Sequence, residues 1–199
     1  AGADDYLVKP FHPAELLARM KSLIARFAPS DVLMGRPPMG RVHAYYGAKG
    51  GVGTTTIAIN AAIALQALGR RVVLVDGNLQ FGDHRVFLDL GLDRKSIVDA
   101  VSAPSIDADL LRGVLVEHDS KIDLLLAPPT PEQAELVTKE HLTQVIDVLR
   151  GLYDYVVVDV DKRLDDMNLG VFDAAEQLFV VLTADLSCLK NVRLVLETL

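Results

Sequence analysis

The chain contains a single cysteine, Cys188, and no tryptophan among its 199 residues. One thiol makes no internal disulfide, and it cannot supply the several thiolates of an iron–sulfur cluster or a structural zinc site. A reducing, cytoplasmic setting is the simplest expectation. Basic residues are outnumbered, with 20 Lys and Arg against 27 Asp and Glu and a formal net charge of −7, so nucleic acid is not expected as a partner. No apolar run reaches the roughly 18 residues that mark a spanning helix, and no stretch has the pattern of a signal peptide. Any membrane contact is therefore expected to be peripheral. Histidine is sparse and scattered: His12, His43, His84, His118 and His141 show no metal-ligand spacing, and surface or capping roles are expected for them. What the chain does have is apolar residues, 50% of the total, enough for a buried core.

Residues 1–28 read as a short strand, a proline turn and a helix with Leu16, Met20, Leu23, Ile24 and Phe27 on one face. Residues 29–41, with three prolines and two glycines and no periodicity, read as a linker. From Val42 the pattern alternates strand and helix. Strands are expected at 42–46, 71–76, 122–127, 155–159 and 178–183, and helices at 55–68, twice within 94–117, around Leu142–Leu149 and from Ser187 onward. Gly69 suits the left-handed position after a helix. Thr130-Pro131-Glu132-Gln133 fits a capping box, and Arg70-Arg71 fits a complement to a helix dipole. Cys188 is expected to be a small packing residue. The fold class is α/β, a doubly wound, mainly parallel sheet.

Chemistry concentrates in Ala48-Lys49-Gly50-Gly51-Val52-Gly53-Thr54-Thr55-Thr56, between a strand and a helix. Glycines let successive backbone N–H groups point into one concavity, and the following helix adds its positive end, so such a loop binds phosphate. Against G-x-x-x-x-G-K-[ST], Gly53 and Thr55 match the last glycine and the Mg²⁺-binding hydroxyl. Ala48 stands at the first glycine and Thr54 where the lysine belongs. A lysine instead precedes the glycines, at Lys49. Asp76 and Asp159 each end an apolar strand, as carboxylates that hold Mg²⁺ do.

These residues resemble the deviant P-loop K-G-G-x-G-K-[ST] of the ParA/MinD family. The resemblance implies that ATP and Mg²⁺ are the cofactors. It also implies that Lys49 to Thr56 bind nucleotide, with Lys49 reaching the phosphates in a partner subunit of a homodimer formed through the nucleotide face. Thr55, Asp159 and Asp76 would serve Mg²⁺. Val75-Asp76-Gly77-Asn78 resembles the family's switch segment D-x-D, with Asn78 at the carboxylate that activates water. An amide orients water but accepts no proton, and Thr54 carries no charge. Weak hydrolysis is therefore expected. Asp83 lies downstream as a substitute carboxylate.

The P-loop, Asn78-Leu79-Gln80-Phe81-Gly82-Asp83, Pro131-Glu132-Gln133-Ala134-Glu135-Leu136-Val137 and Tyr153-Asp154-Tyr155-Val156-Val157-Val158-Asp159 together look like the CpaE/TadZ branch, proteins of Flp (tight adherence) pilus assembly and localisation. That implies the pilus assembly machinery as partner and a place at the inner membrane or cell pole. Gly2-Ala3-Asp4-Asp5-Tyr6-Leu7-Val8-Lys9-Pro10-Phe11 is similar to the end of a response-regulator receiver, with Lys9 at the phosphoryl-contacting lysine and Tyr6 at the aromatic switch position. The expected organisation is the end of a receiver at 1–28, a linker at 29–41 and a P-loop ATPase domain at 42–199, a window cut across two domains. Two other readings follow from the same residues: an active ATPase cycling on and off the membrane, and a scaffold gated by the receiver.

Overall fold

The computed structural model describes residues 39–199; the receiver-like segment with Tyr6 and Lys9, and the linker as far as residue 38, lie outside the described residues. Six strands form where apolar and β-branched residues cluster: β1 (Arg41–Gly47), β2 (Val72–Asp76), β3 (Val116–Glu117), β4 (Asp123–Leu125), β5 (Tyr155–Val160) and β6 (Gln177–Val181). They hydrogen-bond in the order β3-β4-β2-β5-β1-β6, all neighbours parallel except the antiparallel pair β3/β4. Residues 72–76 and 156–160 are buried without interruption, as expected of central parallel strands covered on both faces. The doubly wound α/β expectation holds. The strand β3 was not expected: its two residues fall inside the stretch read as helical, and they are too few to show a period.

The helices are α1 (Thr54–Ala67), α2 (His84–Phe87), α3 (Ile97–Val101), α4 (Ala108–Val114), α5 (Pro131–Ala134), α6 (Lys139–Arg150), α7 (Asp166–Ala174) and α8 (Leu186–Thr198). On one sheet face Val42, Ala44, Tyr46, Val73, Val75, Val156 and Val158 pack with residues of α3, α4, α6, α7 and α8. The amphipathic α6 contributes Leu142, Val145, Ile146 and Leu149, each worth about 1.5–3 kcal/mol on burial. Its N-cap Thr138 accepts the His141 N–H at 3.3 Å while His141 Nδ1 accepts the Thr138 N–H at 3.3 Å, a capping box closed by histidine. On the other face α1 lays Ala58, Ile59 and Ala62 against Tyr45, Leu74 and Val157. The helix stops at Gly69, whose φ of 78° is the left-handed conformation that glycine adopts without strain.

Two local expectations fail. Thr130 sits at the N-cap of α5, ahead of Pro131 in the first turn, but makes no side-chain capping bond. Arg71 does not serve a helix end. It grips Asp154, at 2.7 Å from Nη2 to Oδ1, and so ties the start of β2 to that of β5. Cys188 is buried, as expected of a packing residue.

The topology places the site. From β1 the chain crosses through α1 to β2, beyond β5; from β5 it crosses back through α7 to β6, on the far side of β1. Connections leaving in opposite directions open a crevice at the carboxyl ends of β1 and β5, where ligands bind in open α/β sheets. Register brings Tyr45 beside Asp159, and Asp159 beside Asp76.

Candidate functional site

A crevice of about 420 Å³ lies at that place, lined by the loop after β1, the start of α1 and the ends of β5 and the segment after β2. The loop is a phosphate cradle in shape. Gly51 and Gly53 have φ of 78° and 91°, which turns the backbone so that N–H groups face one concavity at the N-terminus of α1. A side chain at either glycine would be strained. Lys49, Gly50, Gly51, Gly53, Thr54, Thr55 and Thr56 all line the crevice, as expected; Val52 does not, and its side chain instead packs beside Gly47.

The loop is supported from α8. Lys49 Nζ lies 3.1 Å from Asp185 Oδ1 and 2.9 Å from Ser187 Oγ, and Asn191 Nδ2 donates to the Ala48 carbonyl at 3.0 Å. Asp185 is the N-cap of α8. Hydrogen bonds from the Ser187 and Thr183 hydroxyls, the Cys188 N–H and Lys49 hold its carboxyl well below the usual carboxylate range. The Lys49 and Asp185 side chains are 42% and 41% exposed, so water screens their attraction and an incoming anion competes for the lysine. The signal for this support was present as Asp185 three residues before Cys188, a helix-start pattern.

Across the crevice Asp159 lines the wall, but Asp76 does not. Asp76 is 2% exposed and is closed over by Gly82, where an added Cβ would lie 2.4 Å from Asp76 Oδ2. It accepts the backbone N–H groups of Asn78 and His84, each at 3.3 Å. Asp76, expected to serve Mg²⁺ and catalysis, thus stands behind Asp159 and off the crevice wall. The scattered histidines also need correction. His84, wholly buried, sits between the two carboxylates, with Nε2 3.2 Å from Asp159 Oδ2 and Nδ1 3.8 Å from Asp76 Oδ2. His43 is buried as well, edge-on to Tyr155 and Phe179. Asp76, His84 and Asp159 form the one cluster of metal-ligand types among the described residues, and no sequence spacing announces it.

Burial pushes the Asp76 carboxyl up to about 6, with the neighbouring His84 opposing and Asp159 adding to the rise. Burial by itself would lower His84; the charge of Asp76, then the hydrogen bond and charge of Asp159, carry it above its ordinary value. Both groups hold their protons more tightly folded than unfolded. Asp76 loses its stabilising contribution as pH rises from its unfolded value through about 6, and His84 loses its own as pH passes above its raised folded value. In EDTA and without nucleotide, the melting temperature is expected to lose the Asp76 contribution as pH rises from about 4 through about 6, and Asp76→Asn is expected to flatten that part of the profile. An Asp76→Asn profile identical to that of the wild type between about pH 4 and about pH 6 would contradict this.

Asn78 lines the crevice, but its amide is already committed: Nδ2 donates to the Phe81 carbonyl at 2.8 Å and Oδ1 accepts the Phe81 N–H at 3.4 Å. It closes the turn over 78–81 and so is a poor orienter of water. Asp83, exposed and without such bonds among the described residues, also lines the crevice.

Mg²⁺ fits the donors present. Thr55 and Asp159 line the same crevice, and Asp159 Oδ1 accepts no hydrogen bond among the described residues, so a carboxylate oxygen and a hydroxyl are both available to a hard cation there. The residues that would hold the ion are Thr55 and, through water, Asp159.

Comparison with known proteins agrees with this geometry. The family model described as AAA domain matches residues 40–199. The septum site-determining protein MinD of Synechocystis sp. is 26% identical over 154 residues, covering 77% of this chain and 56% of that protein. The chain thus spans little more than half the length of that relative. The ParA family ATPase of Chlorobium tepidum superposes with a TM-score of 0.73 at 29% identity, covering 79% of this chain and 67% of that one. Cobyrinic acid a,c-diamide synthase of Mycobacterium smegmatis, solved with bound ADP and magnesium, gives 0.64 at 27% identity over 80% of this chain and 68% of its own.

Proposed function

The chain belongs to the AAA domain family, in the ParA/MinD group of P-loop ATPases, and from that membership we propose that it binds ATP with Mg²⁺ in the crevice and turns it over slowly or not at all. The observation that carries the reading is the cradle formed by Gly51 and Gly53 at the head of α1, facing Asp159 from the neighbouring strand. Backbone N–H groups and the helix dipole hold the phosphates. Thr55 and Asp159 hold Mg²⁺, which would neutralise charge on the β and γ oxygens. Thr54 brings no charge to the loop, and the Asn78 amide is tied to Phe81, which supports slow chemistry.

The biological role we read from the CpaE/TadZ-like stretches is a nucleotide-dependent localisation and assembly factor for Flp-type pili. It would dimerise through the nucleotide face, with Lys49 released from Asp185 to meet the partner's nucleotide. A place in the cytoplasm, peripheral at the membrane or cell pole, accords with the described residues, where no helix is long and apolar enough to cross a membrane. An actively cycling ATPase is the competing reading, and hydrolysis separates the two.

The test of the nucleotide reading is equilibrium titration with a fluorescent ATP analogue. Affinity is expected to fall about tenfold or more, some 1.4 kcal/mol, when EDTA replaces Mg²⁺. Asp159→Ala is expected to erase most of that difference. Absence of binding, or binding indifferent to Mg²⁺, would sink the proposal.

A further inference from the structure

A P-loop whose usual lysine is replaced by Thr54 meets three or four phosphate charges with backbone dipoles alone, unless a cation arrives from elsewhere in the fold. Two lysines line the crevice, Lys49 and Lys162. Lys49 is turned toward α8 and bonded to Asp185 and Ser187. Lys162 is placed otherwise. It follows β5 three residues after Asp159, and a Cβ added at Gly50 would lie 3.9 Å from its Nζ, so the ammonium lies close to the loop at Gly50. Among the described residues no carboxylate lies within 4.0 Å of that ammonium.

The stalk rises from a fixed turn. The buried Tyr46 hydroxyl donates to the Lys162 carbonyl at 2.9 Å, and the Lys162 N–H donates to Asp161 Oδ1 at 2.7 Å. On either side, Asn168 Nδ2 donates to the carbonyls of Asp161 at 3.0 Å and Arg163 at 2.6 Å. These bonds fix the backbone from which the lysine springs, so when an anion arrives only the side chain has to order.

We propose that Lys162 supplies the phosphate-contacting ammonium that the loop lacks at Thr54, reaching the terminal phosphates of a nucleoside triphosphate from the β5 side of the crevice. The proposal rests on the nucleotide reading above and deepens it. It also accounts for how a loop without its own lysine retains affinity for a highly charged ligand.

The experiment compares ATP, ADP and AMP binding by calorimetry at constant Mg²⁺ in wild type, Lys162→Ala, Lys162→Arg and Lys162→Ala/Thr54→Lys. Lys162 is exposed, so its truncation is expected to leave the melting temperature of the nucleotide-free protein unchanged. Lys162→Ala is expected to weaken ATP about ten- to hundredfold while leaving AMP within about twofold, as loss of a charged hydrogen bond to the terminal phosphates requires. Lys162→Arg and the double variant are expected to recover most of the loss. Wild type that binds ATP, with Lys162→Ala giving the same ATP, ADP and AMP affinities, would overturn the role of Lys162 and leave the nucleotide reading standing. Wild type that binds none of the three would overturn both.

Discussion

Replacing His84 with alanine is expected to cost about 3–5 kcal/mol of stability near neutral pH, the amount lost when one partner of a buried charged set is removed. The side chain is wholly buried, with its two ring nitrogens 3.2 Å from Asp159 and 3.8 Å from Asp76. Those two carboxylates lie at or next to the ends of adjacent parallel strands and stand opposite each other in register. With the imidazole gone, two like charges face one another across a cavity that water reaches poorly, and one of them must take up a proton for the fold to persist. A domain with a total stability of about 5–15 kcal/mol feels such a change strongly. Urea titration reads the loss. Asp76→Asn, placed in the His84→Ala background, is expected to return a large part of it, because only one charge then remains buried. A loss below about 1 kcal/mol, or no relief from the second substitution, would show that the triad contributes little.

That triad also marks where the sequence stopped being informative. The central strands were legible because parallel strands covered on both faces must be apolar throughout, and the P-loop because glycine is required where φ is positive. Both constraints act on neighbours in the chain. His84 is 75 residues from Asp159, and only the order of the strands brings them together. Nothing local distinguishes it from a surface histidine. Lys49 and Asp185, 136 residues apart, pose the same difficulty, although the N-cap character of Asp185 was visible on its own. The burial of Asp76 has a different cause. Its position at a strand end was read correctly, but a strand-end carboxylate reaches the crevice only if the following loop leaves it open. Here Gly82, by lacking a side chain, lets that loop close down on it. Asn78 shows the limit at the level of one side chain: its amide is spent on the turn to Phe81, a local bond that motif comparison does not weigh.

Thr54→Lys is expected to raise single-turnover hydrolysis of Mg²⁺·ATP by about 10²–10³-fold, the range for a positioned electrostatic group acting on developing charge. Thr54 is the first residue of α1 and lines the crevice beside Gly47, so a lysine there enters from the loop side, and lysine is a better helix former than threonine. Affinity for ATP should change much less than rate, because Lys162 already faces the phosphates from the other wall. The new ammonium acts where charge shifts between the β and γ groups. Asn78→Asp adds a proton acceptor, a contribution of about 10²–10⁴-fold for a well-placed base. By itself it is expected to do less than Thr54→Lys. An aspartate cannot donate to the Phe81 carbonyl, so the turn over 78–81 has to open before the carboxylate can face water. In the double variant the gains should combine once nucleotide has ordered the crevice. Rapid-quench measurement at saturating nucleotide separates this from a binding effect. Wild type that already matches the double variant would show that the loop's departures from the family pattern do not limit turnover, and would favour the actively cycling ATPase over the slow localisation factor.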